Sequence, residues 1–221
     1  MIDPALLEHM RREWDARARE NARHYVATGQ QEWTDDEFFR SGAAELRSLV
    51  EEYLEEICNG REPAKMRVIE IGCGAGRMTV PLSRIFGYVD AVDISAEMID
   101  QARAALRETS NVQIHLNNGA DLSIFPNNHF DFAISAVVFQ HIPRRAIVES
   151  YVRDTFRVLR AGSIFKFQVQ GYPIPEQEAD TWVGAGFTNE QMQRIAADAG
   201  FQIKSSYGAG TQYYWLTLFK P

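Results

Sequence analysis

Several kinds of pattern are scarce or missing in this sequence of 221 residues, and each absence narrows what the chain can be. Its two cysteines, Cys58 and Cys73, are too few for a disulfide framework and lack the spacing of metal ligands. No apolar run reaches the length of a membrane span, and residues 1–10 contain no signal-peptide core. We therefore expect a cytoplasmic protein with reduced cysteines, no bound metal and no membrane partner.

Positive charge is also in short supply. The 23 lysine and arginine residues are outnumbered by 30 aspartate and glutamate residues, which gives a net charge of -7. Proteins that hold nucleic acid depend on lysine and arginine to neutralise phosphates, so this balance argues against a nucleic-acid partner. A small molecule is the expected partner, and the sequence leaves the oligomeric state open.

A cluster of three glycines is the most informative feature that is present. Gly72, Gly74 and Gly76 stand at alternate positions directly after the apolar run 67–71. This run is typical of a buried parallel strand, and the glycines allow a tight turn and close approach to a ligand before a helix begins. The following strand ends in Asp93, where a carboxylate can accept hydrogen bonds from the hydroxyls of a ribose. The two features together predict a ligand that contains a nucleoside.

The spacing of the glycines distinguishes between nucleoside ligands. The dinucleotide pattern G-x-G-x-x-G would require glycine where this chain has Arg77. Glu70, two residues before the first glycine, adds an electrostatic reason, because a carboxylate at the strand end repels a pyrophosphate and suits a cationic ligand. S-adenosylmethionine carries both a sulfonium and an ammonium group, so it meets this requirement.

These motifs resemble those of the class I S-adenosylmethionine-dependent methyltransferases. In that family an acidic residue, one further residue and G-x-G-x-G follow the first strand, and an acid ends the second strand, as Glu70 and Asp93 do here. The resemblance continues in order from about Lys65 to the C-terminus. Many members have Asp where this chain has Asn118, whose carbonyl oxygen can still accept a hydrogen bond from the adenine amine. The resemblance implies transfer of a methyl group to an O-, N- or C-nucleophile of a small molecule, with S-adenosylhomocysteine as product.

The resemblance also implies a set of cofactor contacts. The glycines would let the backbone approach the cofactor closely, Glu70 would lie near the methionine part, and Asp93 would bind the ribose. Ile94 would cover one face of the adenine, and Asn118 would meet the adenine edge. The residues implied in cofactor binding are Glu70, Gly72, Cys73, Gly74, Gly76, Asp93, Ile94, Asn118, Gly119, Ser135 and Ala136.

Strand and helix patterns alternate along most of the chain. They predict an α/β fold: a Rossmann-like, doubly wound seven-stranded sheet with an antiparallel C-terminal hairpin and an N-terminal helical cap. We expect one domain, in which residues 1–62 form the cap and residues 63–221 form the methyltransferase core. The predicted strands are 67–71, 88–92, 112–116, 130–136, 163–170, 201–207 and 212–219. The predicted helices are 4–27, 34–57, 77–86, 95–108, 143–159 and 188–200.

A histidine follows the fourth predicted strand, at the sheet edge where ligands gather in such folds. An acceptor that must lose a proton needs a base there, and His141 is the candidate catalytic residue on this ground. The alternative is structural, with His141 capping or packing at the start of the helix that Pro143 would open. The sequence leaves both interpretations open.

Aromatic residues flank the predicted cofactor region on both sides in sequence. The N-terminal helices supply Tyr25 and Trp33, and the connection after the fifth strand supplies Tyr172 and Trp182. As a group they suggest contacts to a flat or apolar acceptor, although each one could simply fill a seam between helices and sheet. Several acceptor-specific motifs are missing, among them the Asn/Asp-Pro-Pro-aromatic motif of enzymes that methylate amino groups of nucleic-acid bases.

Two other functions are compatible with a strand, a glycine turn and a distal acid. A nicotinamide-dependent oxidoreductase shares those features, but this chain has Arg77 in place of the third glycine and lacks a Tyr-x-x-x-Lys segment. A non-catalytic protein that binds S-adenosylmethionine would keep the same motifs and lose an acceptor site. The sequence does not separate that second alternative from an enzyme.

Overall fold

A computed structural model of the chain describes residues 2–221, which contain seven α-helices and seven strands. The helices are α1 Pro4–Val26, α2 Asp35–Leu49, α3 Leu54–Cys58, α4 Thr79–Ile85, α5 Ala96–Ala105, α6 Arg145–Val158 and α7 Asn189–Ala199. The strands are β1 Arg67–Ile71, β2 Tyr88–Asp93, β3 Val112–Leu116, β4 Phe130–Ser135, β5 Leu159–Val169, β6 Gln202–Tyr207 and β7 Tyr214–Lys220. No helix within residues 2–221 combines the length and the apolar character needed to cross a membrane.

The first of two compact units comprises residues 5–118 and holds the three N-terminal strands. Strand β2 pairs in parallel with β1 on one side and with β3 on the other. The pairing sets Ile71 beside Val92 and Asp93 beside Leu116, so the carboxyl ends of the three strands lie at one edge. Val68, Ile69 and most of β2 are buried, as expected for parallel strands covered on both faces.

The second compact unit comprises residues 119–221 together with residues 2–4. Strand β5 pairs in parallel with β4 and antiparallel with β7, and β7 pairs antiparallel with β6. Its core is rich in phenylalanine, and the rings of Phe165 and Phe167 stack with their centroids 4.4 Å apart. With seven strands in a mixed sheet and an antiparallel C-terminal hairpin, the predicted fold class is confirmed.

The N-terminal helices pack within the first unit on the segment that follows β1. A Cβ atom on Gly42 of α2 would lie 2.1 Å from the carbonyl oxygen of Arg77, so the two backbones touch at this point. Phe38, one turn earlier on α2, is buried in a cluster with Ala18, Ala22, Ala75 and Met98. The helical cap is therefore anchored to the loop that carries Gly72, Gly74 and Gly76, called the glycine loop below. The domain bounds 1–62 and 63–221 stay a prediction.

Two predicted helix starts are confirmed in detail. The side chain of Thr34 accepts a hydrogen bond from the Glu37 amide and the Glu37 carboxylate accepts one from the Thr34 amide, which makes a capping box at α2. Thr188 and Gln191 make the same arrangement at α7. Such boxes satisfy amide groups that the first helical turn leaves without partners.

Other predicted boundaries were wrong. Helix α2 ends at Leu49 and is followed by a 3-10 turn and by α3, whereas the sequence predicted one helix to residue 57. Strand β5 begins at Leu159, the last residue of the helix predicted over 143–159, and not at residue 163. Gly162 has a φ of 74° and the pairing of β4 with β5 shifts register between Phe130 and Phe132, so the early part of the strand is irregular.

We expect Gly42→Ala to destabilise the fold by roughly 1 to 3 kcal/mol, because the added methyl group meets the Arg77 backbone. An ordinary helix position would instead gain about 0.5 to 1 kcal/mol from the same change. Gly29→Ala is the matched control, since the nearest atom to its Cβ position is 3.8 Å away. Urea unfolding of both variants measures the difference, and a stabilised Gly42→Ala would show that the close contact does not exist.

Candidate cofactor site

The glycine loop follows β1 in a conformation that favours glycine at every second position. The φ angles of Gly72, Gly74 and Gly76 are 79°, 52° and 84°, all in the left-handed region. The amides of Gly72 and Cys73 both donate to the Val92 carbonyl oxygen, at 2.8 and 3.0 Å. These bonds hold the loop at the carboxyl ends of β1 and β2, where open α/β sheets bind ligands.

Space as well as backbone conformation requires glycine at position 74. A Cβ atom there would lie 2.6 Å from a methyl carbon of Val26, at the end of α1. Helix α1 also reaches α5, because the Asp15 carboxylate accepts hydrogen bonds from the Ser95 hydroxyl at 2.6 Å and the Glu97 amide at 3.3 Å. The N-terminal helix therefore lies over the glycine loop and the start of α5.

Asp93 connects the glycine loop to the end of β2. One carboxylate oxygen accepts a hydrogen bond from the Gly74 amide at 2.8 Å, and the other accepts one from the Ser95 amide at 2.9 Å. Burial raises the pKa of the Asp93 carboxyl, and the hydrogen bonds from Ser95, Gly74 and Ile94 act in the opposite direction. A carboxylate has about four acceptor sites, so a ribose hydroxyl can be bound in addition to these backbone amides.

Glu70 is a buried acid directly before the loop. Its carboxylate accepts a hydrogen bond from the Thr79 hydroxyl at 2.6 Å, and the side chain is 4% exposed. Burial, reinforced by the negative charges of Asp93 and Glu45, raises the pKa of Glu70 to about 8, although Thr79 and Arg77 act in the opposite direction. At neutral pH the group is therefore largely protonated, and a cation placed beside it would favour the carboxylate form.

The structural role of Arg77 was overlooked in the sequence, where the residue marked the start of a helix and the place of a missing third glycine. The buried guanidinium pairs with the Glu45 carboxylate and lies 3.4 Å from the Ser41 hydroxyl, so it ties α2 to the end of the loop. Gly42 could have indicated this contact, because a glycine inside a helical pattern often marks a close approach of another backbone.

The segment after β3 contributes to the same edge of the first unit. The Asn117 amide donates to the carbonyl oxygen of Asp93 at 2.8 Å, and this bond places the exposed Asn118 next to the end of β2. Ile94 is half-buried directly after Asp93. The structure thus gathers the glycine loop, Asp93, Ile94 and Asn118, which were predicted to share one ligand.

The remaining predicted cofactor residues belong to the second unit. Gly119 has a φ of 82°, and Ser135 is fully buried at the end of β4, where it pairs with Phe167. Ala136 follows, and then Val137 adopts a φ of 58°. A β-branched residue in this region is strained by about 1 to 3 kcal/mol, and such strain is typical of functional segments. The roles of Gly119, Ser135 and Ala136 stay predictions.

His141 lies in a short 3-10 turn, residues 139–141, with both ring nitrogens in contact with polar atoms. Its Nδ1 lies 2.5 Å from the Trp182 carbonyl oxygen, and its Nε2 lies 3.1 Å from the Gln140 side-chain nitrogen. The His141 and Trp182 rings are 5.1 Å apart. Helix α6 begins later, at Arg145, and Arg144 is its N-cap residue. The candidate base His141 therefore does not cap that helix. It contacts Trp182, one of the four residues predicted to bind the methyl acceptor.

The other three residues that were predicted to bind the methyl acceptor have different surroundings. Tyr25 donates its hydroxyl proton to Glu20 at 2.9 Å, and the Trp33 indole donates to the Ala27 carbonyl oxygen at 2.9 Å. Trp33 also packs edge-on against Phe38, so its ring fills the helical cap. Tyr172 is 49% exposed on the connection after β5. Their roles toward an acceptor stay predictions.

The first unit also contains an open cavity of about 490 Å³ between the cap and α5. Phe38, Phe39 and Ala75 line it together with Arg23 and Arg107. Within the described part of the chain, no group of three or more His, Cys, Asp or Glu side chains is arranged to hold a metal ion.

Comparisons with known proteins agree with this geometry. Residues 68–162 match the family model described as a methyltransferase domain. This match agrees with the resemblance of the glycine loop and Asp93 to the class I S-adenosylmethionine-dependent methyltransferases. The matched range contains the glycine loop, Asp93, Asn118 and His141.

Two curated methyltransferases and one solved structure illustrate the likeness. The chain is 29% identical to a malonyl-[acyl-carrier protein] O-methyltransferase of Bacillus cereus over 69% of its own length and 51% of the relative. It is 28% identical to a ubiquinone biosynthesis O-methyltransferase of Xanthomonas axonopodis pv. citri over 44% of its own length and 41% of the relative. The chain therefore spans about half the length of these relatives or less.

The solved structure is that of magnesium protoporphyrin IX methyltransferase from Synechocystis PCC 6803 with bound S-adenosylmethionine. It superposes with a TM-score of 0.68 at 16% identity, over 100% of this chain and 99% of that one. At this identity the likeness shows a shared fold.

The raised pKa of Glu70 predicts a pH-dependent effect of removing its charge. The folded chain keeps a proton that the unfolded chain loses above a pKa near 4.5, so the ionisation of Glu70 lowers stability as the pH rises to about 8. We expect the free energy of unfolding of Glu70→Gln, relative to that of the parent chain, to rise by on the order of 3 kcal/mol from pH 5 to pH 8.

Urea unfolding at both pH values measures this effect, with the exposed Glu55→Gln on α3 as the control. The same difference between Glu70→Gln and the parent at pH 5 and pH 8 would show that Glu70 ionises normally in the folded chain.

Proposed function

We propose that this protein binds S-adenosylmethionine and transfers its methyl group to a small-molecule acceptor by in-line displacement, releasing S-adenosylhomocysteine. The observation that carries the proposal is the bond between Asp93 and Gly74, which brings the ribose-binding acid and the glycine loop together at the edge where β1 and β2 end. Such enzymes mainly align the nucleophile with the activated methyl group and exclude water.

The residues of the first unit fit this cofactor. The left-handed glycines leave room for close approach of a ligand to the backbone, and Asp93 keeps acceptor capacity for ribose hydroxyls. Glu70, Gly72, Cys73, Gly74, Gly76, Asp93, Ile94 and Asn118 would hold the cofactor there, and Gly119, Ser135 and Ala136 of the second unit are proposed to take part. When bound, the cofactor supplies a methyl group that its sulfonium has already activated.

Charge favours a sulfonium ligand over a pyrophosphate. Glu70 and Asp93 are both acidic, and Asp15 adds a third carboxylate near the start of α5. Arg77 stands where a dinucleotide-binding loop would have its third glycine, and its guanidinium is already committed to Glu45 and Ser41. An anionic phosphate would meet the negative charge of Asp93, whereas a sulfonium would also favour the carboxylate form of Glu70, so a nicotinamide cofactor fits less well.

For the acceptor, we propose an oxygen nucleophile on a small molecule. Both curated relatives described above are named as O-methyltransferases, although the acceptors in their names differ widely. An acceptor hydroxyl must lose a proton during the reaction, which gives a base such as His141 a use. A cytoplasmic location, small-molecule partners and the absence of nucleic-acid substrates remain part of the same proposal.

Calorimetric titration with S-adenosylmethionine, S-adenosylhomocysteine and both nicotinamide redox forms tests the cofactor. Saturable binding of the two methionine-derived ligands supports the proposal, and binding of a nicotinamide form instead contradicts it. A chain that binds S-adenosylmethionine and methylates no member of a broad phenol, carboxylate and amine panel would favour the non-catalytic alternative.

Asp93→Ala should weaken binding of S-adenosylhomocysteine by about 1 to 3 kcal/mol, because charge-assisted hydrogen bonds to the ribose are lost. The control is Asp100→Ala on α5, which removes an exposed carboxylate of the same unit and leaves the loop intact. Calorimetry of both variants measures the effect. Equal affinities would remove Asp93 from the ribose role.

A further inference from the structure

A chain of three buried polar side chains in the second unit leads from β5 to His141. Gln168 on β5 is fully buried, Gln140 is 3% exposed, and His141 is 8% exposed. The Gln168 side-chain nitrogen lies 2.9 Å from the Gln140 side-chain oxygen, and the Gln140 nitrogen lies 3.1 Å from His141 Nε2. Each side chain in this series therefore meets the next by a polar contact.

Backbone atoms fix the orientation of Gln168. The carbonyl oxygens of Val169 and Gln212 lie 2.7 and 2.8 Å from its side-chain nitrogen. Backbone carbonyls can only accept, so the amide group of Gln168 must face them with its NH₂. A rotated amide would set an oxygen against two carbonyl oxygens and is excluded.

This orientation decides the next two contacts. The two hydrogens of the Gln168 NH₂ face three acceptors, so one hydrogen is shared. Gln140 must present its oxygen to this NH₂, because two amide nitrogens cannot bond to each other. Its own NH₂ then faces His141 Nε2, which has to be the acceptor. On the other side of the ring the Trp182 carbonyl oxygen lies 2.5 Å from Nδ1, which therefore carries the proton. His141 is held neutral, with its hydrogen on Nδ1.

The Gln168 side-chain oxygen is buried and has no hydrogen-bond partner among the described residues. A buried acceptor without a partner costs about 1 to 3 kcal/mol. The amide keeps this orientation because two backbone carbonyl oxygens and the Gln140 oxygen all face its NH₂ group.

We propose that Gln168 and Gln140 are positioning residues that keep His141 neutral and unprotonated at Nε2, the nitrogen that takes the proton of the acceptor. The role of His141 Nε2 as a proton acceptor rests on the proposed function, whereas the directions of the hydrogen bonds from Gln168 to His141 do not depend on it. In the step, the acceptor's O–H or N–H bond breaks and a proton joins Nε2 in place of the Gln140 contact. The bond from Nδ1 to the Trp182 carbonyl then stabilises the imidazolium.

Nitrogen NMR of the full chain with ¹⁵N-labelled histidine tests the hydrogen-bond order without any ligand. The His141 signals are assigned by their loss in His141→Gln. At pH 7.5 we expect a protonated Nδ1 and an unprotonated Nε2 in the parent chain. A proton on Nε2, with or without one on Nδ1, would overturn the proposal.

Two variants change the donor that faces Nε2. Gln140→Glu keeps the shape and the bond from Gln168 but offers an acceptor to Nε2, so we expect a doubly protonated His141. Gln168→Met frees the Gln140 amide to rotate, so we expect a mixture in which part of Nε2 is protonated. Gln170→Leu removes another buried glutamine just beyond the end of β5 and should leave the His141 signals unchanged. An unprotonated Nε2 in both test variants would contradict the positioning role.

Kinetics with an acceptor from the panel then tests the proton transfer. Gln140→Glu should lower kcat about 100-fold or more, the usual contribution of a general base, and should leave the affinity for S-adenosylhomocysteine unchanged. An unchanged kcat, with His141 doubly protonated by NMR, would overturn the proton-accepting role. A chain that methylates nothing would contradict the proposed function, whereas the NMR result would still decide the hydrogen-bond order.

Discussion

The first unit depends on one carboxylate that accepts hydrogen bonds from two different turns. Asp93 holds the Gly74 amide with one oxygen and the Ser95 amide with the other. The loop after β1 and the start of α5 are thereby fixed relative to the end of β2. The same group is the proposed ribose ligand, so organisation of the loop and recognition of the cofactor both depend on it. Burial opposes its ionisation, and the backbone amides offset part of that cost.

The N-terminal helices complete this arrangement instead of standing apart from it. Val26 lies against Gly74, Gly42 touches the Arg77 backbone, and Arg77 pairs with Glu45. Since the cap contacts the loop at both ends, motion of the cap and rearrangement of the loop would have to occur together.

Local patterns predicted much of the fold because they carry their own physical cause. The boundaries of β1 and β3 and both capping boxes follow from apolar runs and from Thr-x-x-Glu or Thr-x-x-Gln spacing. The end of α2 and the start of β5 depend on packing and on strand pairing, which a single sequence does not display. In the candidate site, the glycines and Asp93 were recognisable by spacing. Arg77 pairs with Glu45, 32 positions away, and His141 contacts the carbonyl oxygen of Trp182, 41 positions away, and no short motif records either contact.

The strained backbone of Val137 bears on any attempt to make the protein more stable. Its φ of 58° makes it the one β-branched residue in the described chain with a left-handed backbone. A search for thermostable variants would select glycine or asparagine there, because either relieves the strain. Yet the residue joins β4 to the turn that carries His141, so a relaxed backbone there would also change the path into that turn. If His141 is the base, stability and turnover would then move in opposite directions at this position.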